Sequence, residues 1–146
     1  MNATFEKLTS TDKRLYGPQK LLLCGFPAKA HSAFQSILEM SGLGDVPVVW
    51  VSREQANETV SNLMSLPSGN GTGVDSTLPR AVIVGGIAEK MLHRLMNVCR
   101  QSGMKAALWA VVTPVSETWT LQDLLTELQE ERRAMAMARG KQPEKR

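Results

Sequence analysis

The sequence predicts one α/β domain with three layers. The expected core is a four-stranded, mostly parallel sheet carrying helices on both faces, a Rossmann-like or flavodoxin-like half. Two observations lead there. Four short apolar runs, at residues 20–26 (KLLLCGF), 46–51 (VPVVWV), 80–84 (RAVIV) and 105–112 (KAALWAVV), lack the apolar-polar alternation of a half-exposed strand. A segment of helical period follows each run, so β-α is read four times, a pattern that favours parallel strands joined by right-handed crossovers. An edge strand running antiparallel is compatible with the same pattern. The 146 residues are 42% hydrophobic and 21% charged, one domain's worth and enough to bury a core.

Residues 1–18 show no sustained periodicity and end in Tyr16-Gly17-Pro18, a turn signal, so they read as a flexible N-terminal arm. They hold no apolar stretch of the secretory kind, and no apolar run in the chain is long enough to cross a bilayer. The domain proper is expected over 19–130. After the first strand, Pro27 suits a first helical turn, Ala30, Phe34, Ile37 and Leu38 recur at helical spacing, and Ser41-Gly42 closes the segment. After the second strand, Ser52 with Gln55 forms a capping-box pattern ahead of Ala56, Val60, Leu63 and Met64. Residues 66–79 (LPSGNGTGVDSTLP) read as a mobile loop.

The third strand ends at Gly85-Gly86. Behind it Met91, Leu92, Leu95, Met96 and Cys99 form an apolar stripe opposite Lys90, His93, Arg94, Asn97 and Arg100. The fourth strand ends at Thr113-Pro114, and the last helix starts near Thr120, is capped there with Asp123, and packs through Leu121, Leu124, Leu125 and Leu128. Residues 131–146 form a basic helix end and tail, with six basic side chains against Glu131 and Glu144. The excess positive charge of the chain therefore belongs to this tail.

Ligands of open parallel sheets bind beyond the carboxyl ends of the strands. Those ends give a candidate rim of Gly25, Phe26, Gly85, Gly86, Thr113, Ser116 and Trp119, where helix N-termini would present amides to an anion. Against this, Gly85-Gly86 lacks the third glycine of a dinucleotide fingerprint and no Walker-type lysine follows, so a tight strand-to-helix turn is the simpler reading. Gly69, Gly71 and Gly73 precede a strand instead of following one. Ser52 is more simply a cap than a nucleophile, and neither Thr113 nor Ser116 sits in a GxSxG elbow or a triad. Trp50 and Trp109 read as core, whereas Trp119 reads as a staple at the last helix's entry or as a pocket wall.

His31 and His93 each stand alone on a helix with no metal-spaced partner, so no metal is expected. Cys24 and Cys99 lack the spacing of a zinc site and read as small buried hydrophobes. A phospho-receiver-like switch needs an acidic cluster at the strand ends, and Glu54 alone does not supply one. Arg132, Arg133 and Arg139 are candidate contacts for a protein or anionic partner; with no aromatic residue among them, base stacking has no support.

Residues 105–130, KAALWAVVTPVSETWTLQDLLTELQE, resemble an uncharacterised bacterial family, domain of unknown function 3783. The resemblance rests on an apolar strand ending in Thr113-Pro114, then Trp119-Thr120, then a helix with Leu124, Glu127 and Leu128 in register; the family pattern has Asn where this chain has Ser116. It implies the fold and a bacterial, cytoplasmic setting, and no activity. The function expected from these readings is a non-catalytic binding or accessory module without a cofactor, possible as a homo-oligomer. The alternative is a domain binding a phosphorylated or nucleotide ligand at the rim.

Overall fold

The computed structural model describes residues 13–104 and 106–141. The rest of the expected N-terminal arm, and the tail beyond 141, lie outside the described residues. The chain forms β1 (Lys20–Cys24), α1 (His31–Met40), β2 (Val48–Val51), α2 (Val60–Met64), β3 (Ala81–Gly85), α3 (Glu89–Gln101), β4 (Leu108–Val111) and α4 (Leu121–Lys141). Short 3-10 turns precede α1, α2 and α4. Every residue of β1, β2 and β3 but Lys20 is buried, as strands covered on both faces require. One face packs Leu21, Leu23, Val82 and Val84 against Phe34 and Leu38 of α1 and Leu95 and Cys99 of α3. The opposite face packs Leu22, Val49, Val51 and Ile83 against Val60 and Leu63 of α2 and Leu121 and Leu125 of α4.

The sheet order is β2-β1-β3-β4. The pairs β1/β2 and β3/β4 are parallel, but β1 and β3 run antiparallel at the centre. The sheet is therefore mixed, and the expectation of a mostly parallel sheet is corrected. The cause is the segment between α2 and β3. It climbs beside β2, where the Gly69 N–H donates to the Val48 carbonyl at 2.8 Å and the Trp50 N–H donates to the Asn70 carbonyl at 2.8 Å. It then crosses over the end of β1. This extra pass along the sheet delivers the chain to the wrong end for a parallel β3, and β3 runs back down.

The register carries a further regularity. Leu22 pairs with Ile83, 61 positions later, and the remaining β1–β3 pairs are symmetric about that one. Thr59 pairs with Thr120 at the same spacing: Val60 N–H donates to the Trp119 carbonyl and Leu121 N–H to the Glu58 carbonyl, each at 2.9 Å. A pseudo-two-fold axis thus relates β1-α1-β2-α2 to β3-α3-β4-α4. The same spacing, without a gap, matches Pro18 with Pro79, Gly25 with Gly86, Ser41-Gly42 with Ser102-Gly103, Val51 with Val112 and Leu63 with Leu124.

Local chemistry repeats with the spacing. Thr59 Oγ1 caps α2 by accepting from the Asn62 N–H, and Thr120 Oγ1 caps α4 by accepting from the Asp123 N–H, both at 3.1 Å. The Ser52–Gln55 capping box is present, although it closes a 3-10 turn and not α2 itself.

Candidate functional site

The central antiparallel pair divides the expected rim. Gly25 and Phe26 follow β1 at one end of the sheet, with Ser52 after β2; Gly86 and Thr113 follow β3 and β4 at the opposite end, where Gly85 also lies. No crevice of the parallel-sheet type unites them. Each end is instead crossed by the segment leading into the neighbouring antiparallel strand.

At the first end, the Gly25 backbone is in the left-handed region, and a β-carbon there would stand 2.5 Å from the Leu78 carbonyl oxygen. Arg80 Nε donates to the Gly25 carbonyl at 3.1 Å, and its guanidinium lies 4.3 Å over the Phe26 ring. The Asp75 carboxylate accepts from the Ala28 N–H at 2.6 Å, the anion position ahead of α1, and Ser76 Oγ accepts from the Gly25 N–H at 3.2 Å. Arg53 holds the Thr77 hydroxyl and carbonyl.

At the second end, Gly86 is also left-handed, and a β-carbon would stand 2.5 Å from the Gln19 nitrogen. Arg14 Nε donates to the Gly86 carbonyl at 2.9 Å, and the Gly86 N–H donates to the Tyr16 carbonyl at 3.1 Å. Thr113 and Ser116 bind each other. Ser116 Oγ accepts from the Thr113 N–H at 3.0 Å, and Thr113 Oγ1 accepts from the Ser116 N–H at 2.9 Å. They occupy the positions that Ser52 and Gln55 hold in the first half, and they close the same turn. Trp119 packs, half-buried, against the core between α2 and α4, while Tyr16 donates to Glu117, whose carboxylate raises the phenol's pKa.

A cavity of about 560 Å³ lies beside the first end, lined by Lys29, His31, Ser32, Gln35, Trp50 and Thr72. The His31 ring stacks on Trp50 with centroids 3.8 Å apart and planes 10° from parallel. Its Nδ1 accepts from the Gly73 N–H at 3.1 Å, which assigns the proton to Nε2. Among the described residues Nε2 is buried with no hydrogen-bond partner. The Phe26 carbonyl and Asp75 both favour the protonated ring, but burial outweighs them and lowers the pKa of His31. In the second half Leu92 and Val111 occupy the matching positions, so the stack belongs to one half only. A histidine and a tryptophan on separate elements leave no motif, and sequence reasoning kept His31 as a lone helix residue and Trp50 as core.

Burial pushes the Cys24 thiol up to about 12 and the Cys99 thiol up to about 11, as expected of buried sulfurs that are not nucleophiles. No group of three or more His, Cys, Asp or Glu side chains able to hold a metal occurs among the described residues, and no helix among them is long and apolar enough to cross a membrane.

Of the three candidate arginines, Arg132 donates through Nη2 to the Ala107 carbonyl at 2.8 Å, tying α4 to the start of β4. Arg133 and Arg139 are exposed on the helix beyond the sheet. Every residue from Gln129 to Arg139 is exposed, including Met135 and Met137 at 60% each.

Residues 80–135 match the model of a family described as Domain of unknown function (DUF3783). The match takes in the 105–130 stretch that carries the resemblance, and it covers the second half of the pseudo-symmetric fold from the residue before β3 into α4. No curated protein and no solved structure matches the chain.

Proposed function

We propose that the protein is a non-catalytic binding module whose contact surface is the end of α4. The observation that carries this is the run from Gln129 to Arg139, a stretch of about three turns that stays helical with every residue exposed and only Arg132 bonded back to the sheet's end. Helices owe most of their stability in proteins to the packing of one face. Met135 has Arg139 one turn on and Met137 has Arg133 one turn back, so two nearly opposite sides of the projecting helix each offer apolar contact beside a cation, suited to apolar partner surface with an acidic border. Ending the chain at Glu131 keeps Leu121, Leu124, Leu125 and Leu128, the residues that seat α4 on the sheet. That truncation gives up the bond from Arg132 to the Ala107 carbonyl, and is expected to lower the melting temperature by only a few degrees and to lose the co-purifying partner. Equal recovery of the partner with both chains sinks this reading.

The His31–Trp50 cavity favours a second reading, a small-molecule site at the first end of the sheet. Its volume falls within the range of ligand pockets, and its wall is aromatic with a few polar groups, Lys29, Ser32, Gln35 and Thr72. Nucleotides and sugar phosphates at millimolar concentration are expected to raise the melting temperature of the parent chain and not of His31→Leu. Absence of any shift across the panel removes this reading.

A further inference from the structure

The segments that cross the two ends of the sheet occupy equivalent places under the pseudo-two-fold and are held by different means. Residues 13–16 cross the second end and are stitched down through main chain. The Leu15 N–H donates to the Ile87 carbonyl at 2.8 Å, the Glu89 N–H to the Lys13 carbonyl at 2.9 Å and the Gly86 N–H to the Tyr16 carbonyl at 3.1 Å. Residues 74–77 are the matching stretch 61 positions on. Among the described residues, each hydrogen bond that ties them to the first half runs through a side chain: Asp75 to Ala28, Ser76 to Gly25, and Arg53 to Thr77.

Just before that crossing, the chain is held more lightly still. Thr72, Gly73 and Val74 are exposed, and Thr72 and Gly73 form one wall of the His31–Trp50 cavity. Thr72 and Val74 bond back within the same segment, to the carbonyls of Gly69 and Gly71. Among the described residues, the three have a single hydrogen bond to the rest of the fold, from the Gly73 N–H to His31 Nδ1 at 3.1 Å. A β-carbon on Gly73 would meet nothing, so no packing pins the turn there. Gly71, close against Trp50, anchors it on one side and Asp75 on the other.

We propose that residues 72–74 are a flap on the cavity, released when His31 takes up a proton. Only an unprotonated Nδ1 accepts the Gly73 N–H; once protonated it is a donor facing a donor, and the bond is lost. The flap then lifts between its two anchors and the cavity loses that wall. Asp75 favours the charged ring. Lys29 ahead of α1, Arg53 after β2 and Arg80 before β3 carry the charge that disfavours it. β2 brings no charged side chain, and Lys20 of β1 is engaged with the Leu66 carbonyl. Burial beneath the flap outweighs Asp75 and holds the pKa of His31 below its ordinary value. The open form therefore binds the proton more tightly, and falling pH favours opening. The release needs no ligand, and it goes beyond both functional readings.

The test follows amide protection in the full chain by NMR as the pH falls from neutrality through the titration of His31, read from its ring nitrogens. Protection at Gly73, corrected for the intrinsic pH dependence of exchange, is expected to fall about tenfold or more. Protection at Trp50, whose N–H donates to the Asn70 carbonyl, is expected to hold. His31→Asn offers Gly73 an acceptor that does not titrate, so protection there should become independent of pH over the same range. Asp75→Asn keeps an oxygen for the Ala28 N–H and removes the nearby negative charge. The His31 titration and the loss at Gly73 should then move together to lower pH. That exposed, conservative change carries the test if His31→Asn fails to fold. Gly73 protection that stays level while His31 titrates overturns the inference. Loss at Trp50 in step with Gly73 overturns it too, since the whole edge is then unfolding. A ligand panel without a thermal shift removes the small-molecule reading and leaves this titration standing.

Discussion

The two halves reach the same point in their fold and then part. α2 ends at Met64 and the chain turns at Ser65, with Pro67 unable to continue a helix; the linker then seals the edge of β2. At the equivalent place α4 passes through Leu125 into Thr126, Glu127 and Leu128 and continues to Lys141, and among the described residues no hydrogen bond reaches the outward N–H groups of Trp109 and Val111 on the edge of β4. One half spends its surplus chain on itself, while the other holds it out to solvent. The first half also carries the His31–Trp50 stack where the second has Leu92 and Val111. In a fold that otherwise repeats its caps, turns and core positions, these departures are where a role other than folding has room.

The largest effect that tests the comparison lies on the axis. Leu22→Ala and Ile83→Ala each empty a fully buried site at the centre of the sheet and are expected to cost about 2–5 kcal/mol in denaturant melts. Near-equal losses support the equivalence of the halves; a loss confined to one of them breaks it.

Next come the crossings at the two ends. Gly25→Ala and Gly86→Ala each drive a methyl group into backbone from a left-handed residue, for an expected loss of roughly 2–4 kcal/mol apiece. Gly73→Ala, left-handed but with nothing near its β-carbon, is the control at about 1 kcal/mol.

Smaller still is His31→Leu, which gives the first half the residue of the second. Leu ends the burial of an unpartnered Nε2 but gives up the bond from Gly73, so the net change is expected within about 1 kcal/mol. Amide exchange at Gly73 is the sharper readout, and it should quicken.

The smallest effect is a pH dependence. Burial depresses the folded-state pKa of His31, so the unfolded chain binds its proton first. Stability from this residue is complete above the ordinary imidazole value of about 6.5 and falls as pH drops below it towards the folded value. His31→Leu should flatten that part of the profile; an unchanged slope assigns it to another group.

The positions of the strands and helices were legible because burial on both faces leaves unbroken apolar runs, and because Ser52-Gln55, Thr120-Asp123 and the Ser-Gly helix ends are local signals. The direction of β3 was not. A strand covered on both faces has the same pattern whichever way it points, and only the path of residues 66–79 decides it. The single rim failed for that reason. Gly86 is forced by close approach, as the tight-turn reading requires, but the approaching segment is Pro18-Gln19, which no local pattern reveals. The 61-residue spacing was present in the sequence as aligned Pro, Gly, Ser-Gly and Thr positions, weak singly and consistent together.

That spacing has a consequence for how the molecule holds together when its chain is interrupted. Each half ends in an unsatisfied antiparallel edge that its mate completes, so the linker acts as a tether, holding two pieces at an effective concentration of the order of millimolar. Cleavage within residues 66–79 would turn folding into an encounter between fragments, with stability that rises with concentration. Uncut, the protein behaves as a dimer whose two halves happen to be covalently joined.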